Sequence, residues 1–219
     1  MKFFGIGTKF MASILALSLF SGCAVNAPIP IPLVTSFDSE GERKESVLLV
    51  IDDEFRRYEF VESQVLANFI YPLGEKLPVM IENSLTQSFS HVVVASNSEA
   101  KSEYDLIIQP RIKSFEVKIP ATIMSRTKTN IEIEYFVLNV NGGKEYTLLG
   151  VGDYEITTEE DKVLYKELSE SSSSFYYHDV SSGNGVNIPN FAYLAARDAG
   201  VAIYHCLNDL DSKLLESLE

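Results

Sequence analysis

The apolar positions of the chain follow strand and helix periods in turn. Residues 47–51 form a continuous β-branched and aliphatic run, typical of a strand that is buried on both faces. Four apolar residues from Leu77 to Phe89 recur at helical spacing, which predicts an amphipathic helix with Pro78 in its first turn. Residues 91–95 predict the next strand, whereas residues 55–71 mix aromatic and polar side chains and predict either a loop or a further strand.

Three long strands are predicted next, over residues 104–119, 130–140 and 145–156. The apolar phase slips between Ile112 and Phe115, which indicates a bulge near Ser114. The second and third strands form a hairpin, because they are separated only by a short turn.

Glycines mark two positions in this hairpin. Asn141-Gly142 lies in the connecting turn, where an Asn-Gly pair supplies positive φ angles. Gly150 and Gly152 interrupt the return strand, and paired glycines within a strand indicate a bulge or a close backbone approach.

The chain ends in a long helix, predicted over residues 189–217, whose apolar stripe includes Cys206. A buried and unreactive thiol is therefore the favoured interpretation of that cysteine. The order strand, helix, strand, three-strand meander, helix predicts an α+β fold for residues 46–219. We expect one domain with two layers, in which two main helices pack on a mostly antiparallel mixed sheet.

The N-terminus has the features of a bacterial export signal. Lys2 and Lys9 precede the apolar residues 10–20, a run too short to span a bilayer. The stretch Leu19-Phe20-Ser21-Gly22-Cys23 then resembles the lipobox of bacterial lipoproteins, with Phe20 where leucine is usual. The resemblance implies that residues 1–22 are a signal peptide and that Cys23 carries the lipid.

The residues after Cys23 predict where the protein is sorted. Ala24 follows the cysteine, and the absence of Asp at this place implies the periplasmic face of the outer membrane by resemblance to enterobacterial lipoproteins. Three prolines and a charged run follow, so residues 23–45 are predicted to be an extended tether between lipid and domain. The membrane is the first predicted partner.

Charge excludes one class of partner. The formal net charge is −13, and cleavage before Cys23 would remove Lys2 and Lys9 but no acidic residue. Nucleic acid is therefore not expected to bind, because phosphate contacts require clustered lysine and arginine. If Cys23 is acylated, Cys206 has no partner for a disulfide bond.

No pattern in the chain predicts catalysis, so we expect a protein that is not an enzyme and has no cofactor. His205 and Cys206 are neighbours on a helix, so their side chains point about 100° apart. Asp52-Asp53-Glu54 follows a buried strand and leaves two interpretations open, a solvated turn and a site for a hard cation.

Two groups of residues are candidates for binding a protein partner. One is an aromatic island within the polar loop of residues 157–187, which could instead fold back onto the domain: Phe175, Tyr176 and Tyr177. The other is a basic group at a long strand connection, which suits an anionic partner but could equally protect a sheet edge: Lys113, Lys118, Arg126 and Lys128.

The order of elements, with Tyr104-Asp105-Leu106-Ile107-Ile108-Gln109-Pro110 leading into the meander and closing helix, resembles small outer-membrane lipoproteins of Gram-negative bacteria. In outline these are the LPS-assembly lipoprotein family, the YajG-like lipoproteins and the N-terminal domain of the translocation protein TolB. The resemblance implies an accessory or assembly component of an envelope complex that acts through protein contacts. The alternative is a periplasmic carrier or receptor for a lipid or glycan, which would need an apolar cavity between helix and sheet.

Overall fold

A computed structural model of the chain describes residues 25–29, 31–38, 43–63, 67–97, 103–118, 128–154 and 188–219. The strands are β1 (Val25–Pro28), β2 (Arg43–Val50), β3 (Phe60–Ser63), β4 (Ala67–Tyr71), β5 (Phe89–Ala95), β6 (Leu106–Lys118), β7 (Lys128–Asn139) and β8 (Lys144–Asp153). The helices are α1 (Asp53–Arg56), α2 (Leu73–Ser88) and α3 (Ile188–Ser217).

The strands form two sheets. The larger has the order β5-β2-β6-β7-β8, in which β2 runs parallel to both neighbours and β6, β7 and β8 form an antiparallel meander. The smaller has the order β1-β4-β3. This architecture confirms the predicted α+β fold with a mixed sheet, a three-strand meander and two main helices. The predicted bulge is also present, since the register of β6 and β7 shifts between Ile112 and Ser114.

The main core lies between the larger sheet and the helices α2 and α3. Strand β7 shows how the sequence builds it, because its buried and exposed residues alternate with the period of two that a strand requires. Ile131, Ile133, Tyr135 and Val137 point into this core. None of the helices in the described ranges is long and apolar enough to cross a membrane.

The glycines of β8 allow α3 to approach the sheet closely. A Cβ atom on Gly152 would lie 2.5 Å from the backbone nitrogen of Cys206, and one on Gly150 would lie 2.7 Å from the carbonyl oxygen of the same residue. Contacts that short are not tolerated, so the pair of hydrogen side chains is what permits this packing. Of the two interpretations of the glycine pair, the structure shows a close approach.

Three local expectations differ from the structure. Helix α2 begins at Leu73, so Pro78 lies inside the helix and not in its first turn. In the β7–β8 turn, Gly143 has a φ of 61° and is the one residue with a positive φ in the described part of the chain, so Gly142 does not supply it. Residues 55–71 form α1, β3 and β4 in place of a single loop or strand.

The N-terminal segment packs against the domain, whereas residues 23–45 were expected to be an extended tether. Strand β1 pairs in parallel with β4, and the chain from 29 to 37 then buries Ile29, Ile31, Val34 and Phe37 in the main core. The expectation was wrong for this stretch because it considered the prolines and ignored the apolar residues between them. The signal peptide and Cys23 lie outside the described residues.

Candidate functional surface

The side of the meander that faces away from α2 and α3 is the candidate surface, and we call it the outer face. Strand alternation places Glu132, Glu134 and Phe136 of β7 on it, opposite to the buried residues of the same strand. The register sets Phe136 between Gln109 of β6 and Thr147 of β8. Phe136 is 41% exposed, although alternation predicts a polar residue at this position.

Val151 is the second exposed apolar residue on the outer face. It pairs with Glu132 across the strands and is 45% exposed. Although the glycines on either side of Val151 were predicted to mark a bulge or a close approach, neither Val151 nor Phe136 was among the binding residues predicted from the sequence. The signal that identifies them is an apolar residue at a position where the strand period requires a solvated one.

A hollow of about 500 Å³ lies at the Phe136 end of the outer face. Helix α1 forms one of its walls. The Asp52 carboxylate caps this helix by accepting a hydrogen bond from the backbone N–H of Phe55 at 2.7 Å. The second oxygen of Asp52 accepts from the side-chain amide of Gln109 at 3.4 Å. The lining residues are Asp52, Glu54, Phe55, Tyr58, Gln109, Pro110, Arg111, Ile112 and Phe136.

The acidic run Asp52-Asp53-Glu54 is explained by helix formation. Asp52 is the N-cap of α1, and the other two residues lie in its first turn, where negative side chains interact favourably with the helix dipole. Within the described ranges, no three His, Cys, Asp or Glu residues are grouped as a metal site would require. Of the two interpretations, the structure supplies a reason for the solvated turn.

Charges of both signs alternate along the rest of the outer face. The Lys113 ammonium lies 3.2 Å from the Glu134 carboxylate. At the far end, a second hollow of about 400 Å³ is lined by Glu116, Lys128, Asn130, Val151 and Asp153. Lys113 and Lys128 of the predicted basic group are therefore accompanied by carboxylates, which differs from an isolated positive patch.

The structure places the predicted binding residues in different regions. Lys118 and Lys128 are cross-strand neighbours at the hairpin end of β6 and β7, while Lys113 lies nearer the start of β6. Several predicted sites fall outside the described residues and stay predictions: Cys23, Arg126, Phe175, Tyr176 and Tyr177.

Helix α3 seals the β8 edge of the larger sheet. The backbone N–H of Val151 donates to the Asp209 carboxylate at 3.0 Å, and Lys213 donates to the carbonyl oxygen of Leu149 at 2.8 Å. Asp209 and Lys213 also pair with each other at 2.8 Å. An exposed edge would invite another strand, and these contacts occupy backbone groups of the β8 edge.

A buried polar cluster joins the two helices to the sheet. Asp211 of α3 accepts a hydrogen bond from the Ser84 hydroxyl of α2, and its other oxygen has no partner among the described residues. Burial raises the pKa of Asp211 to about 7. Burial, with a smaller effect from Asp211, also raises the pKa of Tyr135 well above its ordinary value. Nothing in the sequence distinguished Asp211 from the surface acids of the helix.

We expect Cys206 to resist thiol reagents, because burial raises the pKa of its thiol to about 12 and removes it from solvent. At pH 8, Cys206 of the folded protein should remain unlabelled by a soluble maleimide under conditions that label it fully in urea. Mass spectrometry of the intact protein measures the difference. Equal labelling of the native and urea-treated protein would contradict the buried position.

No protein-family model and no curated protein matches the chain. Among solved structures, a crystal structure of protein XCC0632 from Xanthomonas campestris, of the family DUF330, is 9% identical with a TM-score of 0.43, and the alignment covers 90% of this chain and 100% of that one. The hypothetical protein CT253 from Chlamydia trachomatis is 9% identical with a TM-score of 0.35, with coverage of 88% and 96%.

A third structure is lipoprotein GNA1162 from Neisseria meningitidis. It is 10% identical with a TM-score of 0.30, and the alignment covers 59% of this chain and 96% of that one. Similarity at this level does not transfer a function, so a functional proposal has to come from the residues themselves.

Proposed function

We propose that this protein is a lipid-anchored component of the bacterial envelope that binds another envelope protein through its outer face and catalyses no reaction. The observation that carries the proposal is the exposure of Phe136 and Val151 among charged side chains. Large apolar side chains that are surrounded by polar groups supply binding energy when a partner covers them. The neighbouring charges then favour one partner and one orientation.

The anchor rests on the sequence of the N-terminus. A basic and apolar leader that ends in Leu19-Phe20-Ser21-Gly22-Cys23 supports acylation of Cys23, and Ala24 supports sorting to the outer membrane. Two or more acyl chains hold a protein stably, since each buried methylene contributes about 0.8 kcal/mol. The domain would then work on the periplasmic face.

The packing of α3 disfavours the alternative of a lipid or glycan carrier. Such a carrier needs an apolar cavity between helix and sheet, and in the described part of the chain this space is filled. Gly150 and Gly152 bring the sheet against the backbone of α3, and Leu210 and Cys206 are fully buried there. The two hollows instead lie on the outer face, and in each of them charged side chains line the wall together with apolar ones.

A photo-crosslinking amino acid at position 136 tests the contact in living cells. Val79 of α2 is an apolar residue with the same 41% exposure, so the same amino acid at position 79 is a matched control. We expect one defined crosslinked protein from position 136 and none from position 79. The same products from both positions, or none from position 136, would contradict the proposal.

The variant Phe136→Asp tests the energy of the contact. Loss of a central aromatic residue costs about 2 kcal/mol or more at an interface, so retention of the crosslinked partner on the purified protein should fall about thirtyfold. Val79→Asp should leave it unchanged. Urea unfolding of both variants separates a loss of binding from a loss of fold.

A further inference from the structure

We infer that the domain rests directly on the lipid headgroups, with the β1-β4-β3 sheet at the membrane and the β7–β8 turn at the distant end. The inference rests on the acylation of Cys23 in the proposed function and adds an orientation to it. A lipid chain on a long tether would let the domain turn freely. The described part of the N-terminal segment excludes a long tether for this chain.

Very little chain separates the lipid from the fold. Strand β1 begins at Val25, so only Ala24 separates it from Cys23. Two residue steps span about 7 Å at full extension, which is about the thickness of one headgroup layer. The start of β1 must therefore lie at the membrane surface.

Strand β1 is held firmly to the rest of the domain. It pairs along its length with β4, and the N–H of Ile29 donates to the carbonyl oxygen of Ile70 at 2.7 Å. Farther along, the N–H of Phe37 donates to the Gln87 side chain at 3.1 Å, and the Phe37 ring stacks on Tyr204. The position of the start of β1 therefore fixes the position of the whole domain.

The smaller sheet lies at one end of the larger one. The rings of Phe60 and Tyr71 lie 5.1 and 5.2 Å from the ring of Phe115, near the hairpin end of β6. The β7–β8 turn lies beside Leu106, where β6 begins. Nine residues of strand separate these levels, a distance of about 30 Å.

The smaller sheet carries little charge. The four, four and five residues of β1, β3 and β4 include one acidic side chain, Glu62, and no basic one. Lys118 and Lys128 are cross-strand neighbours at the same end of the larger sheet, although Glu116 and Asp153 share a hollow with Lys128. In a chain with a net charge of −13, little of the negative charge lies on the smaller sheet, so an anionic headgroup layer repels this sheet only weakly.

Energy transfer on vesicles tests the orientation with the full acylated protein. Single cysteines carry a donor dye at Ser63, which pairs with Asn68 of β4, or at Lys144, which begins β8. Both residues are exposed, and Cys206 is buried and should not be labelled. The vesicles contain phosphatidylethanolamine and phosphatidylglycerol, with an acceptor dye on a small fraction of the headgroups. We expect several-fold greater transfer from the Ser63→Cys protein.

A matched variant lengthens the connection. A Gly/Ser spacer of ten residues after Ala24 adds roughly 17 Å of flexible reach and should reduce the difference between the two positions. Equal transfer from both positions in the natural chain, or no effect of the spacer, would overturn the orientation while acylation stands. If mass spectrometry finds Cys23 unacylated, the anchor of the proposed function and the orientation are both overturned.

Discussion

Gly152→Ala should destabilise the protein by about 3 kcal/mol or more, the upper end of the cost of overpacking. The added methyl group would lie 2.5 Å from the backbone nitrogen of Cys206 and 2.7 Å from its Cβ atom. These atoms belong to the backbone and first side-chain carbon of α3, so no rotamer change relieves the contact. The helix has to move away from β8 as a unit. This movement would also lengthen the hydrogen bonds that join Asp209 and Lys213 to the backbone of β8.

Urea unfolding of the purified protein, followed by circular dichroism, measures this loss as a lower midpoint. Val151→Ala is the matched control, because Val151 is adjacent but lies on the outer face and is 45% exposed. The control should change stability by about 0.5 kcal/mol or less. A Gly152→Ala protein with the natural midpoint would show that α3 does not approach β8 as closely as the structure has it.

Between about pH 4 and pH 7, Asp211 should lower the free energy of unfolding of the natural protein, and Asp211→Asn should abolish this loss. Burial raises the pKa of Asp211 from its ordinary 3.8 to about 7, so in this range the folded state holds a proton that the unfolded state has released. Stability from this group is complete below pH 3.8 and declines as the pH rises toward 7. A pKa difference of that size corresponds to roughly 4 kcal/mol.

Asparagine keeps an oxygen that can accept from Ser84 and has no proton to lose. The Asp211→Asn protein should therefore match the natural protein near pH 4 and exceed its stability at pH 8. Urea unfolding at a series of pH values measures the difference between the free energies of unfolding of the two proteins. The contributions of all other groups cancel in this difference. Glu216→Gln, at an exposed residue of the same helix, should change stability by less than about 0.5 kcal/mol. Parallel pH curves for natural and Asp211→Asn proteins would contradict the prediction.

Local pattern was sufficient for most elements of the larger sheet. The apolar run in β2, the strict alternation in β7 and the phase slip near Ser114 each follow from the period of two of a strand and need no knowledge of distant residues. The stripe of α3 likewise follows from its period of 3.6. Of these elements, β6 and β7 carry the candidate surface.

The N-terminal segment shows where local pattern was insufficient. Its prolines favour extended backbone, and an extended chain is compatible with a free tether, with a strand or with a strap across helices. The packed conformation is selected by distant parts of the chain. Strand β4 pairs with β1, and the main core buries the apolar side chains of Ile29, Ile31, Val34 and Phe37. That choice decides how the domain is oriented relative to its proposed anchor.

The sequence by itself determined the α+β class, the meander and its bulge, because each depends on spacing along a short stretch of chain. The signal peptide and the lipidated cysteine follow from local spacing in the same way and stay predictions. The tertiary structure alone decided that Gly152 contacts the backbone of α3, that Asp211 is buried and that Phe136 is exposed. These properties depend on which residues far apart in the chain become neighbours. Burial, contact and pKa are set by those neighbours, and no local period encodes them.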